Sequence, residues 1–198
     1  MSLQLRDILA LAQFTLNNPR AGLRQVLRLD LPVGTSMIAL ALMAVVSALL
    51  AQLSAALIPD ATNPVFDFFM GSPFRTLAIQ GAGMGVTVGM VHVLGRAWGG
   101  SGQFGDAVLA VTWLQVFLVI LQAGQLLAML VLPPLATLAG LVNVVVFPWL
   151  LSMFVAEVHG FSNPFKVFLG IVVSAIGLSF VLSFLLVALL GPETFVNV

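Results

Sequence analysis

The chain has 198 residues, 61% of them hydrophobic and 7% charged, with no formal net charge and no cysteine. Soluble domains carry about 25% charged residues, so this composition excludes an ordinary water-soluble fold, and the neutral balance excludes the basic footprint of a nucleic-acid binder. Without cysteine there are no disulfides and no thiolate chemistry.

Residues 1–32 read as a short amphipathic segment ahead of a membrane domain that fills 33–198. Leu5, Ile8, Leu9, Ala12 and Leu16 recur at helical spacing and predict a helix ending near Asn17. Asn18 then suits an N-cap and Pro19 a first helical position, where the missing N–H costs nothing. In the second helix Arg20, Arg24 and Arg28 form one stripe beside Leu23, Val26 and Leu27. That pattern predicts a helix in the headgroup layer, its guanidinium groups on anionic lipid or simply fixing topology.

Five apolar stretches follow, Val33–Ile58, Phe74–Ala97, Ala107–Leu132, Leu135–Val158 and Phe165–Leu190. Each reaches the about 20 residues needed to cross a bilayer, so the predicted fold is an all-α polytopic bundle of five transmembrane helices. No room remains for a soluble catalytic domain. The first stretch is about twice the length of a signal-peptide core and is expected to stay as a span.

The second span carries Gly81, Gly85 and Gly89, a doubled GxxxG whose flat face lets another helix settle closely. Gly170, Ser174 and Gly177 of the fifth span offer a matching surface within the chain, and a second copy offers another. The following loop, "GGSGQFG", satisfies GxGxxG literally through Gly100, Gly102 and Gly105, but no β-strand precedes it and a nucleotide site is rejected. It reads as a tight turn, with Asp106 favourable at the positive start of the third span.

Leu132, Pro133, Pro134 and Leu135 alone connect the third and fourth spans, which forces an antiparallel hairpin. Pro148 should kink the fourth span near Asn143, because it cannot donate to the Val144 carbonyl. Thr112, Gln115, Gln122 and Gln125 cluster on one side of the third span and are expected to bond Asn143 across the hairpin.

Basic residues favour the cytoplasmic side of short loops. Arg6, Arg20, Arg24, Arg28, Arg96 and Lys166 fall on one side of a five-span chain, and Arg75 faces Asp60, Asp67 and Glu193 on the other. The N-terminus is therefore expected in the cytoplasm and the C-terminus outside. No ionisable residue lies near the centre of any span, which argues against ion- or proton-coupled transport. Near the inner ends, His92, Arg96, Asp106, Glu157, His159 and Lys166 lie at one depth and predict a polar ring. A metal would find suitable donors in His92, Asp106, Glu157 and His159, yet there is no HExxH, and Glu157 and His159 point to different sides of a helix. No metal and no cofactor is expected.

"GGSGQF" from Gly99 to Phe104 and "EVHGFSNPFKVFLGIVVSA" from Glu157 to Ala175, together with the five-span layout and the N-terminus inside, resemble the Yip1 family. The resemblance implies an integral membrane protein without established catalytic residues. Eukaryotic members are Golgi and endoplasmic-reticulum proteins linked to Rab GTPases and vesicle trafficking, with a longer and more acidic N-terminal region. The short basic segment here is more similar to bacterial members, implying a bacterial inner membrane with the C-terminus in the periplasm. The expected function is a non-enzymatic organiser of lipids (anionic headgroups), or of a membrane-protein partner or further copies, through its packing faces and its Arg20, Arg24, Arg28 and Arg96 surface. The alternative is a small permease or lipid-transfer subunit with a polar site at Gln115, Gln122, Gln125 and Asn143 between the third and fourth spans.

Overall fold

The structure, a computed structural model, describes residues 5–57 and 64–190. Among these are eight helices: α1 Leu5–Asn17, α2 Pro19–Leu27, α3 Val33–Ala56, α4 Pro64–Met70, α5 Pro73–Ala97, α6 Phe104–Val131, α7 Pro133–His159 and α8 Pro164–Leu190. Five of them, α3 and α5 to α8, are long and apolar enough to cross a membrane. Ile58, Asp60 and Glu193, used above for a span end and for topology, lie outside the described residues.

Helix starts follow local chemistry. Pro19, Pro73 and Pro133 each open a helix at a position where an N–H would be orphaned anyway. At α6 the Asp106 carboxylate accepts the Gln103 N–H at 3.1 Å. At α8 the Asn163 side chain accepts the N–H groups of Phe165 (2.9 Å) and Lys166 (3.3 Å). Between α6 and α7 only Leu132 intervenes, extended at φ −153°, so the hairpin is tighter than its four-residue reading. Helix α7 ends on Gly160 at φ +73°, the left-handed conformation that glycine adopts without strain.

Helix α6 is the axis of the bundle, packed on α3, α7, α5 and α2. Its first half, Ala107 to Gln115, is buried on every side. Around it lie Leu150, Leu151, Phe154 and Val155 of α7, with Leu23 and Val26 of α2 and Ala12 of α1. The core therefore sits toward the side that carries the N-terminal helices, called here the N-side. The second half of α6 and most of α8 are open.

Two expectations are corrected here. The N-terminal helices do not merely lie in a headgroup layer. Helix α2 packs on α6 and α7, the Trp113 indole donates to the Thr15 hydroxyl at 3.3 Å, and Thr15 is fully buried. The inward face of α1 is Ile8, Leu11, Ala12 and Thr15, while Leu9 and Leu16 face outward, because the α6 contact selects the stripe that holds a hydroxyl for Trp113. The second correction concerns the glycine ridge. A Cβ at Gly81, Gly85 or Gly89 would meet nothing within 4 Å, so the ridge does not seat α8. The close small-residue interface belongs to α3, whose Ala44, Ser47, Ala48 and Ala51 are buried, with α6 as its main partner. Helix α4 was not anticipated. It is tied down by Arg75, which donates to the Asp67 carbonyl at 2.6 Å, and by Thr76, which donates to the Phe69 carbonyl at 2.7 Å.

Candidate functional site: a membrane cleft between helices 5, 7 and 8

Helices α5 and α8 flank α7 without closing on each other, and the gap between them is a cavity of about 260 Å³. Met90, Val91 and Leu94 of α5, Leu151 and Val155 of α7, and Ile171 and Leu178 of α8 line it, so its wall is almost wholly apolar. Trp98 forms its N-side end. The indole packs against Gly170, where a Cβ would overlap the ring, so that glycine is required by close approach. Beyond Trp98 opens a second cavity of about 360 Å³, bounded by Ser162, Asn163, Lys166 and Phe161. Lys166 is exposed at the start of α8, where the helix dipole adds to its positive charge.

In the far half, Thr87 and Phe147 separate the apolar slot from a third cavity of about 460 Å³. Carboxamides line this chamber: Gln80 from α5, Gln115, Gln122 and Gln125 from α6, and Asn143 from α7. The hydrogen bonding differs from the expected α6–α7 cluster. Asn143 donates to Gln125 at 3.2 Å, but Gln122 turns to the Ser47 carbonyl of α3 (3.2 Å) and Thr112 donates to the Val108 carbonyl (2.8 Å). Only one α6 amide thus reaches Asn143, because the others are rotated toward α3 or the chamber.

The N-side charges do not form one ring. Glu157 accepts Arg20 at 3.0 Å and Arg24 at 2.6 Å, which fastens α2 to the end of α7. The carboxylate bond raises the pKa of Arg24 above the ordinary arginine value. Two of the four arginines expected on lipid or a partner are therefore engaged within the protein, and Arg28 and Arg96 remain exposed. His159 is 3% exposed and points inward. Its Nδ1 accepts the Gly102 N–H at 3.2 Å, so Nε2 carries the proton that is donated to the Val91 carbonyl at 2.9 Å. Gly95, Gly100 and Gly102 make room for it, since a Cβ on any of them would overlap His159. His92 stands edge-on to Phe104 at 5.7 Å. Among the described residues, no three His, Asp or Glu side chains group as metal ligands.

A family model described as the Yip1 domain matches residues 15–187. The chain belongs to the Yip1 family. No curated protein and no solved structure matches it. The Yip1 domain takes in α2 and both sides of the cleft, so the Glu157 clamp, the His159 seat and all three cavities are parts of the family region. Of the site residues expected from sequence, Lys166, Gly170 and Ser174 border the slot or its mouth, and Gln115, Gln122, Gln125 and Asn143 border the chamber. Trp98, Phe147, Thr87 and Gln80 were missed. An interfacial Trp beside a glycine-rich turn and a Gln in a membrane helix are the signals that pointed to two of them.

Proposed function

We propose that this Yip1-family membrane protein is a non-enzymatic lipid organiser that holds an anionic lipid in the cleft. The headgroup sits in the mouth against Lys166 and the positive start of α8, and an acyl chain passes Trp98 into the slot between α5, α7 and α8. The observation that carries this reading is the apolar slot itself, left open between two helices and ending at a cationic mouth. Leaving the bilayer for an apolar slot gains an acyl chain little, since lipid tails are as apolar as leucine. Selectivity must then come from the headgroup, where one cation at the surface contributes about 1 kcal/mol, or about fivefold in occupancy.

The basic residues Arg6, Arg28, Arg96 and Lys166 share the N-side, which supports placing that side in the cytoplasm and the far side in the periplasm of a bacterial inner membrane. The exposed Arg28 and Arg96 supply the surface for a protein partner in an adaptor role. A permease or lipid-transfer role would run instead through the amide chamber, which this reading does not use.

The test is lipid retention after purification into nanodiscs of mixed phosphatidylglycerol and phosphatidylcholine, read by mass spectrometry. Phosphatidylglycerol should be enriched on the wild type. Lys166→Gln should cut the enrichment about fivefold, and Ser174→Phe, which fills the slot, should abolish it. Equal retention by all three proteins would sink the proposal.

A further inference from the structure

The amide chamber has a chemistry that helix packing does not explain. Interhelical amides in membrane bundles ordinarily bond one another or a backbone carbonyl. Here Gln80 and Gln115 make no side-chain hydrogen bond among the described residues, although both border the chamber. The Asn143 Oδ1 atom is buried and has no hydrogen-bond partner among the described residues. Pro148, within α7, has no N–H to offer the carbonyl of Val144, and Val144 is itself part of the chamber wall. The unpartnered amides of Gln80 and Gln115 border the open volume, so they are the groups that a hydrogen-bonding ligand entering the chamber would meet.

The wall also defines what that donor is attached to. Its polar groups are the Gln80, Gln115, Gln122, Gln125 and Asn143 amides with the Thr87 and Ser47 hydroxyls, and no formal charge is among them. An ion brought there would be desolvated without a counter-charge, at a cost of several kcal/mol. Carboxamides each present donors and an acceptor side by side, which matches groups that both give and take hydrogen bonds. A volume of about 460 Å³ is in the ordinary range for small-molecule sites, roughly 300–1,000 Å³.

We infer that the chamber is a binding site for an uncharged, hydroxyl-rich group. That chemistry has two sources, a free polyol from the aqueous phase or the headgroup of a neutral amphiphile whose chain passes Phe147 into the apolar slot. The polar groups of this site are separate from the cationic mouth at Lys166, so loss of binding in Gln80→Met and loss of anionic-lipid retention in Lys166→Gln distinguish the two readings.

The experiment uses the full chain in phosphatidylcholine nanodiscs. Free glycerol and glucose are tested by equilibrium binding, and dioleoylglycerol and a monoglucosyl diacylglycerol by retention in native mass spectrometry. Gln80→Met keeps the side-chain length and breaks no bond within the protein, so it should melt as the wild type does. Thr87→Val, isosteric at the wall shared with the slot, is the second variant. The expected result is binding of at least one probe, weakened at least fivefold in Gln80→Met, with Lys166→Gln unchanged. Polyols bound without the amphiphiles would identify a soluble ligand, and the reverse a headgroup, either outcome supporting the site. Failure of all four probes to bind folded wild-type protein, or binding by both Gln80→Met and Thr87→Val as tight as by the wild type, would overturn it.

Discussion

Two glycines of α5 separate what a motif suggests from what the packing requires. Gly85 lies in the doubled GxxxG, yet a Cβ there meets nothing within 4 Å. Gly85→Ala should therefore be neutral or stabilising, by up to the about 1 kcal/mol that alanine gains over glycine in a helix interior. Gly95 is outside the motif, and its added Cβ would overlap the imidazole of His159. Moving that ring breaks the bonds to the Gly102 N–H and the Val91 carbonyl. A buried N–H left unsatisfied costs about 1–3 kcal/mol and the second bond about 0.5–1.5 kcal/mol, offset by the same helical gain of about 1 kcal/mol. Gly95→Ala should lose about 0.5–3.5 kcal/mol net, the opposite sign from Gly85→Ala. Unfolding from mixed micelles with sodium dodecyl sulfate, followed by circular dichroism at two protein concentrations, measures both. A Gly95→Ala protein as stable as the Gly85→Ala one would refute the seating of His159. A concentration-dependent loss in Gly85→Ala would show the ridge packed against a second copy and refute its exposure to lipid.

Glu157→Gln removes the carboxylate that grips Arg20 and Arg24, whose side chains are 33% and 54% exposed. At that exposure the Arg20 pair contributes about 0.2–1 kcal/mol, and loss of the clamp should appear as faster hydrogen exchange in α2 with unchanged exchange in α6; unaltered α2 protection would deny the clamp. Phe154 of α7 is fully buried in the core cluster around α6, so Phe154→Ala should cost about 3–5 kcal/mol in the same unfolding assay. A loss below about 1 kcal/mol would mean that the N-side core is not close-packed as described.

Span number and helix starts were legible because they rest on length, hydropathy and proline, which act locally. Pro19, Pro73 and Pro133 open helices where the sequence placed or neighboured a start. Inward faces were not legible. In lipid the outward face of a helix is as apolar as its buried face, so periodicity loses the contrast that marks a core in water. What remains is small and polar residues, and these mislead when read alone. Gly81, Gly85 and Gly89 form the stronger motif, whereas Ala44, Ser47, Ala48 and Ala51 make the contact. Likewise Glu157 read as one member of a ring, because nothing local reveals that α2 folds back to offer two guanidiniums across more than a hundred residues. The slot between α5 and α8 was invisible for a related reason: it is an absence of contact between helices distant in sequence.

The two halves of the bundle follow opposite packing logic. On the N-side, aliphatic and aromatic side chains, an inward histidine with both nitrogens bonded, and helices folded back from the N-terminus fill the space around α6. In the far half, carboxamides border open volume, and two of them make no side-chain hydrogen bond among the described residues. A bundle needing only stability has no use for amides at Gln80 and Gln115, which border open volume and bond nothing among the described residues. Keeping both, beside a proline that withholds one more donor, is the arrangement expected where the missing hydrogen bonds are made by something that enters and leaves.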